Sequence, residues 1–215
     1  MTARETAICG IFGAVRGRKS AQLAHLGPPR GAAYTVAVSS ISDVAGQELV
    51  WNQPAARRRD HELRAGDQVV GTLHFQRGTL ADAEADGHHW TFKRQGFWHP
   101  RVTVRLHGSD ADIGVFHPHW TGGGTLESAD GTRLTLRSSN LWQSEWVWLD
   151  KDQPVLRFKG RHGIVKANGS VEVQAGAGGR PDLALLILLG WYLILLYADD
   201  VAASSASTAA VIAST

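Results

Sequence analysis

Cysteine is almost missing from this chain: Cys9 stands alone among 215 residues, so no intramolecular disulfide can form. The fold must hold by packing, in a reducing compartment or one indifferent to redox state. A charge of one sign is also missing. The 22 Lys and Arg against 20 Asp and Glu leave a formal charge of +2 and a pI near 8.9, too mild for the dense basic face that phosphate-backbone binding requires, and nucleic acid is excluded as a partner. Catalytic signatures are absent as well: there is no G-x-S-x-G elbow, no H-E-x-x-H, no P-loop and no dinucleotide fingerprint after a strand. The chain therefore reads as non-enzymatic, with no catalytic residue, no cofactor and no metal. The apolar run Ala7 to Val15 lacks a basic approach and is followed by Arg16-Gly17-Arg18-Lys19 instead of a small-residue cleavage site, which argues against a secretory leader. The expected location is the cytoplasm, peripheral to a membrane.

What is present is one uncharged stretch, Leu183 to Ala198 (LALLILLGWYLILLYA), bounded by Asp182 and by Asp199-Asp200. A helix apolar on every side cannot lie on a protein surface, so it is buried in protein or in lipid. At 1.5 Å per residue it reaches roughly 24 Å, short of the roughly 30 Å of hydrocarbon that a span crosses. No Lys or Arg cluster at either end sets an orientation. The segment is read as a core helix over 182–198, with Leu183, Leu185, Leu186, Leu188, Leu189, Trp191, Leu193, Leu195 and Leu196 as its packing surface. The alternative is a β-domain anchored by a single pass through 183–198.

From Leu49 to Gln174 the signal is period two. Val69, Gly71, Leu73 and Phe75 alternate with Gln68, Val70, Thr72, His74 and Gln76, and the same period recurs at Trp90/Phe92, Val102/Val104/Leu106, Ile113/Val115, Leu134/Leu136, Leu156/Phe158 and Val171/Val173. One apolar face per strand describes a sheet with one solvated side. Turn signals at Gly66-Asp67, Gly108-Ser109-Asp110, Asp130-Gly131, Lys151-Asp152-Gln153-Pro154 and Asn168-Gly169 divide it into hairpins, and roughly ten strands in a meander are predicted. Asn168-Gly169-Ser170 also spells a glycosylation sequon, which the hairpin explains.

A mainly β, closed or nearly closed antiparallel barrel of about 10–12 strands is too wide for its own side chains to fill. A helix roughly 10–12 Å across would fill it. Ala175 to Arg180 (AGAGGR) and Pro181 supply the flexible turn that carries the chain into the lumen. A charge at Leu188, as in Leu188→Asp, is expected to unfold such a domain. The domain layout is then a weakly ordered arm over 1–48, with one strand near Tyr34 to Val38, a barrel over 49–200, and a loose Ala/Ser/Thr tail over 201–215.

A barrel of consecutive hairpins filled by an apolar C-terminal helix resembles the tubby C-terminal-like superfamily, which includes LURP-one-related proteins and phospholipid scramblases. Locally, Glu145 to Phe158 (EWVWLDKDQPVLRF) is similar to the strand, Asp-x-x-x-Pro turn and strand of LURP-one-related proteins. Glu62 to Phe75 and Trp90 to Val104 have the same character. The resemblance covers roughly Leu49 to Asp200 and implies lipid or phosphoinositide binding. Tubby's headgroup-binding residues and the acidic calcium segment proposed for scramblases find no counterpart here.

Strand parity turns Lys93, Arg101 and Arg105 outward on two strands joined through Gly96. Such a patch could hold the headgroup of an anionic phospholipid, at about 1 kcal/mol per charge near an acidic leaflet. The competing reading is an ordinary solvated sheet face within a structural or protein-interaction module. Arg57-Arg58-Arg59 reads as an exposed loop, Gly122-Gly123-Gly124 lies between strands and not before a helix, and His117-Pro118-His119 with His88, His89 and His99 lacks the convergence that zinc needs. Of the tryptophans, Trp51, Trp90, Trp98, Trp120, Trp142, Trp146, Trp148 and Trp191, most are expected to pack around the helix, against an alternative of sugar stacking. Nothing in the sequence specifies an oligomeric state.

Overall fold

A computed structural model describes residues 40–55, 58–96, 98–120, 122–140, 144–162 and 167–213. The strand expected near Tyr34 to Val38 lies outside them. Among the described residues, twelve strands follow a short helix: α1 (Ile41–Val44), then β1 (Leu49–Asn52), β2 (Asp60–Ala65), β3 (Gln68–Phe75), β4 (Ala81–Ala85), β5 (His88–Gln95), β6 (Arg101–Leu106), β7 (Asp112–Pro118), β8 (Gly124–Ser128), β9 (Arg133–Ser138), β10 (Glu145–Asp150), β11 (Gln153–His162) and β12 (Ala167–Val173). Each strand pairs antiparallel with the next, and β12 pairs with β1 to close the barrel. Helix α2 (Leu183–Ala213) follows.

Helix α2 fills the lumen. Leu183, Leu186, Ile187, Leu188, Leu189, Trp191, Tyr192, Leu193 and Ile194 are all at most 2 % exposed, a burial on every side that only surrounding strands can supply. Leu185, by contrast, is partly buried against the core. Ring contacts reach the wall in several directions: Trp191 stacks on Trp51 of β1, Tyr192 on Phe75 of β3, and Trp146 of β10 on Tyr197. On the β3–β4 side the wall side chains are small. Ala81, Ala83 and Ala85 face inward with Gly71 beside Leu188, so the helix lies close to this wall. That strand, ADAEA, was not predicted, because alanine carries little β-propensity and its inward choice reflects the space left by the helix.

The two mouths differ. Where the chain enters the lumen, the hairpins at Gly66-Asp67, Asp86-Gly87 and Lys151-Asp152 close with two residues each. Their positive φ values are those of the hairpin turns that match strand twist. Helix α1 covers this inlet. Its Ile41 and Val44 join the main core, and Ile41 N–H donates to Asp86 at 2.7 Å. The described part of the expected weakly ordered arm thus already carries a helix, ahead of the expected start at Leu49. Arg180 bridges Asp150 at 2.8 Å and Asp182 at 2.9 Å where the helix begins. At the outlet, Asp199 and Asp200 pair with Arg59 at 2.5 Å and Arg94 at 2.7 Å.

Two expectations are corrected. Helix α2 does not end near Ala198 in a loose tail; it continues through Ala213, because Val201 to Ala213 contains no Gly or Pro to stop it. Asn168-Gly169 is not a hairpin turn but lies inside β12, with Gly169 opposite Trp51 and Gly160. A Cβ at Gly169 would stand 2.6 Å from the Trp191 ring, so the glycine makes room for the helix.

The glycine inside α2 has the same origin. A Cβ at Gly190 would lie 2.5 Å from Phe158 and 2.7 Å from Trp148 Nε1, and that indole N–H donates to the Leu186 carbonyl at 3.0 Å. Gly190→Ala is expected to destabilise the protein by about 1–3 kcal/mol through overpacking, despite alanine's better helix propensity. Denaturant titration checks this against Gly46→Ala, where nothing lies within 4 Å and no comparable loss is expected.

His61, inward on β2 and 4 % exposed, touches Trp191 and Phe75 edge-on at 6.3 and 6.4 Å. Burial, with Arg59 adding to it, lowers its pKa from 6.5 to about 4. The unfolded chain therefore takes up the proton first, and stability present above pH 6.5 is lost as pH falls towards about 4. Between about pH 7 and about pH 4 the wild type should lose about 3 kcal/mol more than His61→Leu does, read from urea midpoints.

Candidate functional site

Strand parity holds for the three cations singled out from sequence. Lys93 lies opposite Thr103, Arg101 opposite Gln95 and Arg105 opposite Thr91 on the β5–β6 pair, all on the outer wall. Their electrostatics differ. Lys93 and Arg101 are exposed, whereas Arg105 is half-buried, with Nε 2.6 Å from Asp112 and Nη1 3.8 Å from Asp110. Arg105 is thus neutralised by acidic groups on and before β7, and the patch contracts to Lys93 and Arg101 at the outlet end of the wall. Arg94, between them in sequence, turns the other way and grips Asp200.

The outlet loops carry the tryptophans that do not pack around the helix. Trp98, between β5 and β6, is 83 % exposed, and Trp120, between β7 and β8, is fully exposed. Alternation could not reveal this, because both lie beyond the strand ends, where parity has no meaning. Trp51, Trp90, Trp146, Trp148 and Trp191 are buried as expected, and Trp142 lies outside the described residues. The antiparallel meander puts both exposed indoles at the same mouth, where α2 emerges. Here His119, Trp120, Gly122, Tyr197, Asp200 and Val201 line a hollow of about 390 Å³. Tyr197 donates to the Gly123 carbonyl at 2.5 Å, and burial pushes its hydroxyl up to about 12. It is a pin, not an acid.

A larger outer groove of about 620 Å³ runs past Glu48, Val50, Lys159, Asn168 and Ser170. Its lysine and one of its carboxylates are already paired: Lys159 with Glu172 at 3.6 Å, and Glu145 with Arg157 at 2.7 Å. The Arg157 guanidinium holds the Glu145 carboxyl below its usual range. Among the described residues the groove offers hydroxyls and amides, and its one lysine is already paired.

Of the histidines weighed from sequence, His119 bonds Thr125 at 3.2 Å and His88 stacks on Trp90. Among the described residues, no group of three or more His, Cys, Asp or Glu stands ready to hold a metal ion. No protein-family model, curated protein or solved structure matches the chain.

Proposed function

We propose that this chain is a tubby-like, non-enzymatic barrel that docks its outlet mouth on an anionic membrane surface. The observation that carries the reading is the pair of exposed indoles, Trp98 and Trp120, on loops of one mouth, with Lys93 and Arg101 on the wall beside the Trp98 loop. Indoles favour the headgroup level of a bilayer, where an apolar ring and a polar N–H are both satisfied. Each nearby cation adds about 1 kcal/mol towards an acidic leaflet. The emerging turn of α2, with Val201 57 % exposed, would meet the same surface.

The alternative in which 183–198 spans a bilayer is disfavoured by packing. Residues Leu183 to Leu196 are the filling of the barrel, and moving them into lipid would leave an empty lumen lined by Trp51, Phe92, Phe116 and Phe158, all buried. An interaction module without a lipid ligand would use the same tryptophans on a protein partner.

The full chain should co-sediment with phosphatidylcholine vesicles containing phosphatidylserine and much less with phosphatidylcholine alone. Trp98→Ala with Trp120→Ala, and separately Lys93→Glu with Arg101→Glu, should each weaken retention more than about tenfold, while Arg105→Gln changes little. Equal sedimentation of wild type and both double variants would contradict membrane docking.

A further inference from the structure

The outer groove across the β1–β12 seam lies on a different wall from Lys93 and Arg101. Register sets Val50 of β1, Ser170 of β12, Lys159 of β11 and Glu145 of β10 side by side, one row across four strands. Asn168 stands two residues from Ser170 on the same face of β12. Asn140 and Ser144 stand on the β10 side, where the Ser144 carbonyl accepts from Gly160 N–H at 2.8 Å. The volume enclosed, about 620 Å³, falls within the roughly 300–1,000 Å³ of small-molecule sites.

The groove keeps hydrogen-bonding capacity of both kinds. Asn168 Oδ1 accepts from Gln53 N–H at 3.4 Å, which leaves both protons of Nδ2 to donate. Ser144 Oγ accepts from Asn140 Nδ2 at 2.8 Å and retains its own proton. Among the described residues, the Ser170 hydroxyl and the Glu48 carboxylate have no partner. Donors and acceptors are therefore interleaved in one hollow, with Val50, 37 % exposed, as a small apolar spot among them.

This chemistry selects the ligand. A phosphate or a nucleotide calls for an unpaired cation, and Lys159 faces Glu172 at 3.6 Å. A lipid chain calls for a continuous apolar lining, and Val50 is the single large apolar side chain among the described lining residues. An added peptide strand calls for an open sheet edge, and the barrel closes on itself. A sugar carries hydroxyls that donate and accept at once, together with patches of C–H, and matches a lining of amides, hydroxyls and carboxylates around one valine.

We propose that this groove binds an uncharged mono- or disaccharide, with Asn168, Ser144 and Ser170 donating to its oxygens, Glu48 and Glu145 accepting from its hydroxyls, and Val50 against a C–H face. Arg157 holds the Glu145 carboxyl below its usual range, so Glu145 only accepts. The ligand would lie across β1, β12, β11 and β10, over the seam that closes the barrel.

The test is two-dimensional amide NMR of the full, nitrogen-labelled chain, titrated separately with maltose, cellobiose, lactose and diacetylchitobiose, and with the neutral tripeptide Ala-Ser-Ala. At least one disaccharide should give saturable shifts centred on the amides of Val50, Lys159, Gly169 and Ser170, and the tripeptide none. Ser170→Ala, and Asn168→Asp, which keeps the oxygen that Gln53 uses and removes the amide donors, should each raise the apparent Kd about three- to tenfold. Thr72→Ala, an exposed hydroxyl on β3, should leave it unchanged. The spectra themselves verify that each variant folds. No saturable shift with any of the four disaccharides, equal binding by wild type and both groove variants, or saturation by the tripeptide alone would overturn the assignment.

Discussion

An apolar helix must be covered on every side, and a wide barrel must be filled; the structure solves each problem with the other. Neither part is tenable alone. Stripped of the strands, Leu183 to Leu196 would expose a run that water rejects. Stripped of the helix, twelve strands would enclose a void bounded by indole and phenyl rings. Burial is non-directional, however, and would tolerate a sliding helix. What fixes the helix along the axis is a small set of directional contacts: Trp148 to the Leu186 carbonyl at 3.0 Å, Tyr192 to Thr79 at 2.5 Å, Arg180 at the inlet, and Arg59 and Arg94 at the outlet.

Shape is adjusted in glycine and alanine. The helix approaches the β3–β4 wall over Gly71 and the inward alanines, and the β12 wall accepts Trp191 against Gly169. The seam between β1 and β12 is completed by side chains: beyond the last paired residues, Ala167 N–H donates to Gln53 Oε1 at 3.0 Å and Gln53 N–H to Asn168 Oδ1 at 3.4 Å. A closed wall has no edge strand, which removes the usual route to sheet aggregation.

The architecture was legible because its signals are redundant. Period two over seven runs and one unbroken apolar run both demand a barrel with a core. Less visible were elements whose residues answer to a distant partner: ADAEA reads as no strand until the helix beside it is known, and Asn168-Gly169 mimics a hairpin because Trp191 forbids a Cβ there. The candidate site was legible in part. Parity placed Lys93 and Arg101 outward, but it could not foresee Asp112 beside Arg105, nor two tryptophans on loops outside the alternation.

The two mouths differ in what they expose: three two-residue turns and α1 stand at the inlet, while the outlet carries the exposed indoles and the emerging helix, and the proposed docking face lies there for that reason. That assignment presupposes that the helix is core. Native-state hydrogen exchange of the full chain in detergent-free buffer tests this most directly. The account predicts that amides of Leu186 to Ile194 exchange only with global unfolding, at the same free energy as those of β10 and β11. Exchange of the helix amides at a markedly lower free energy than the wall, with the strands still protected, would contradict it.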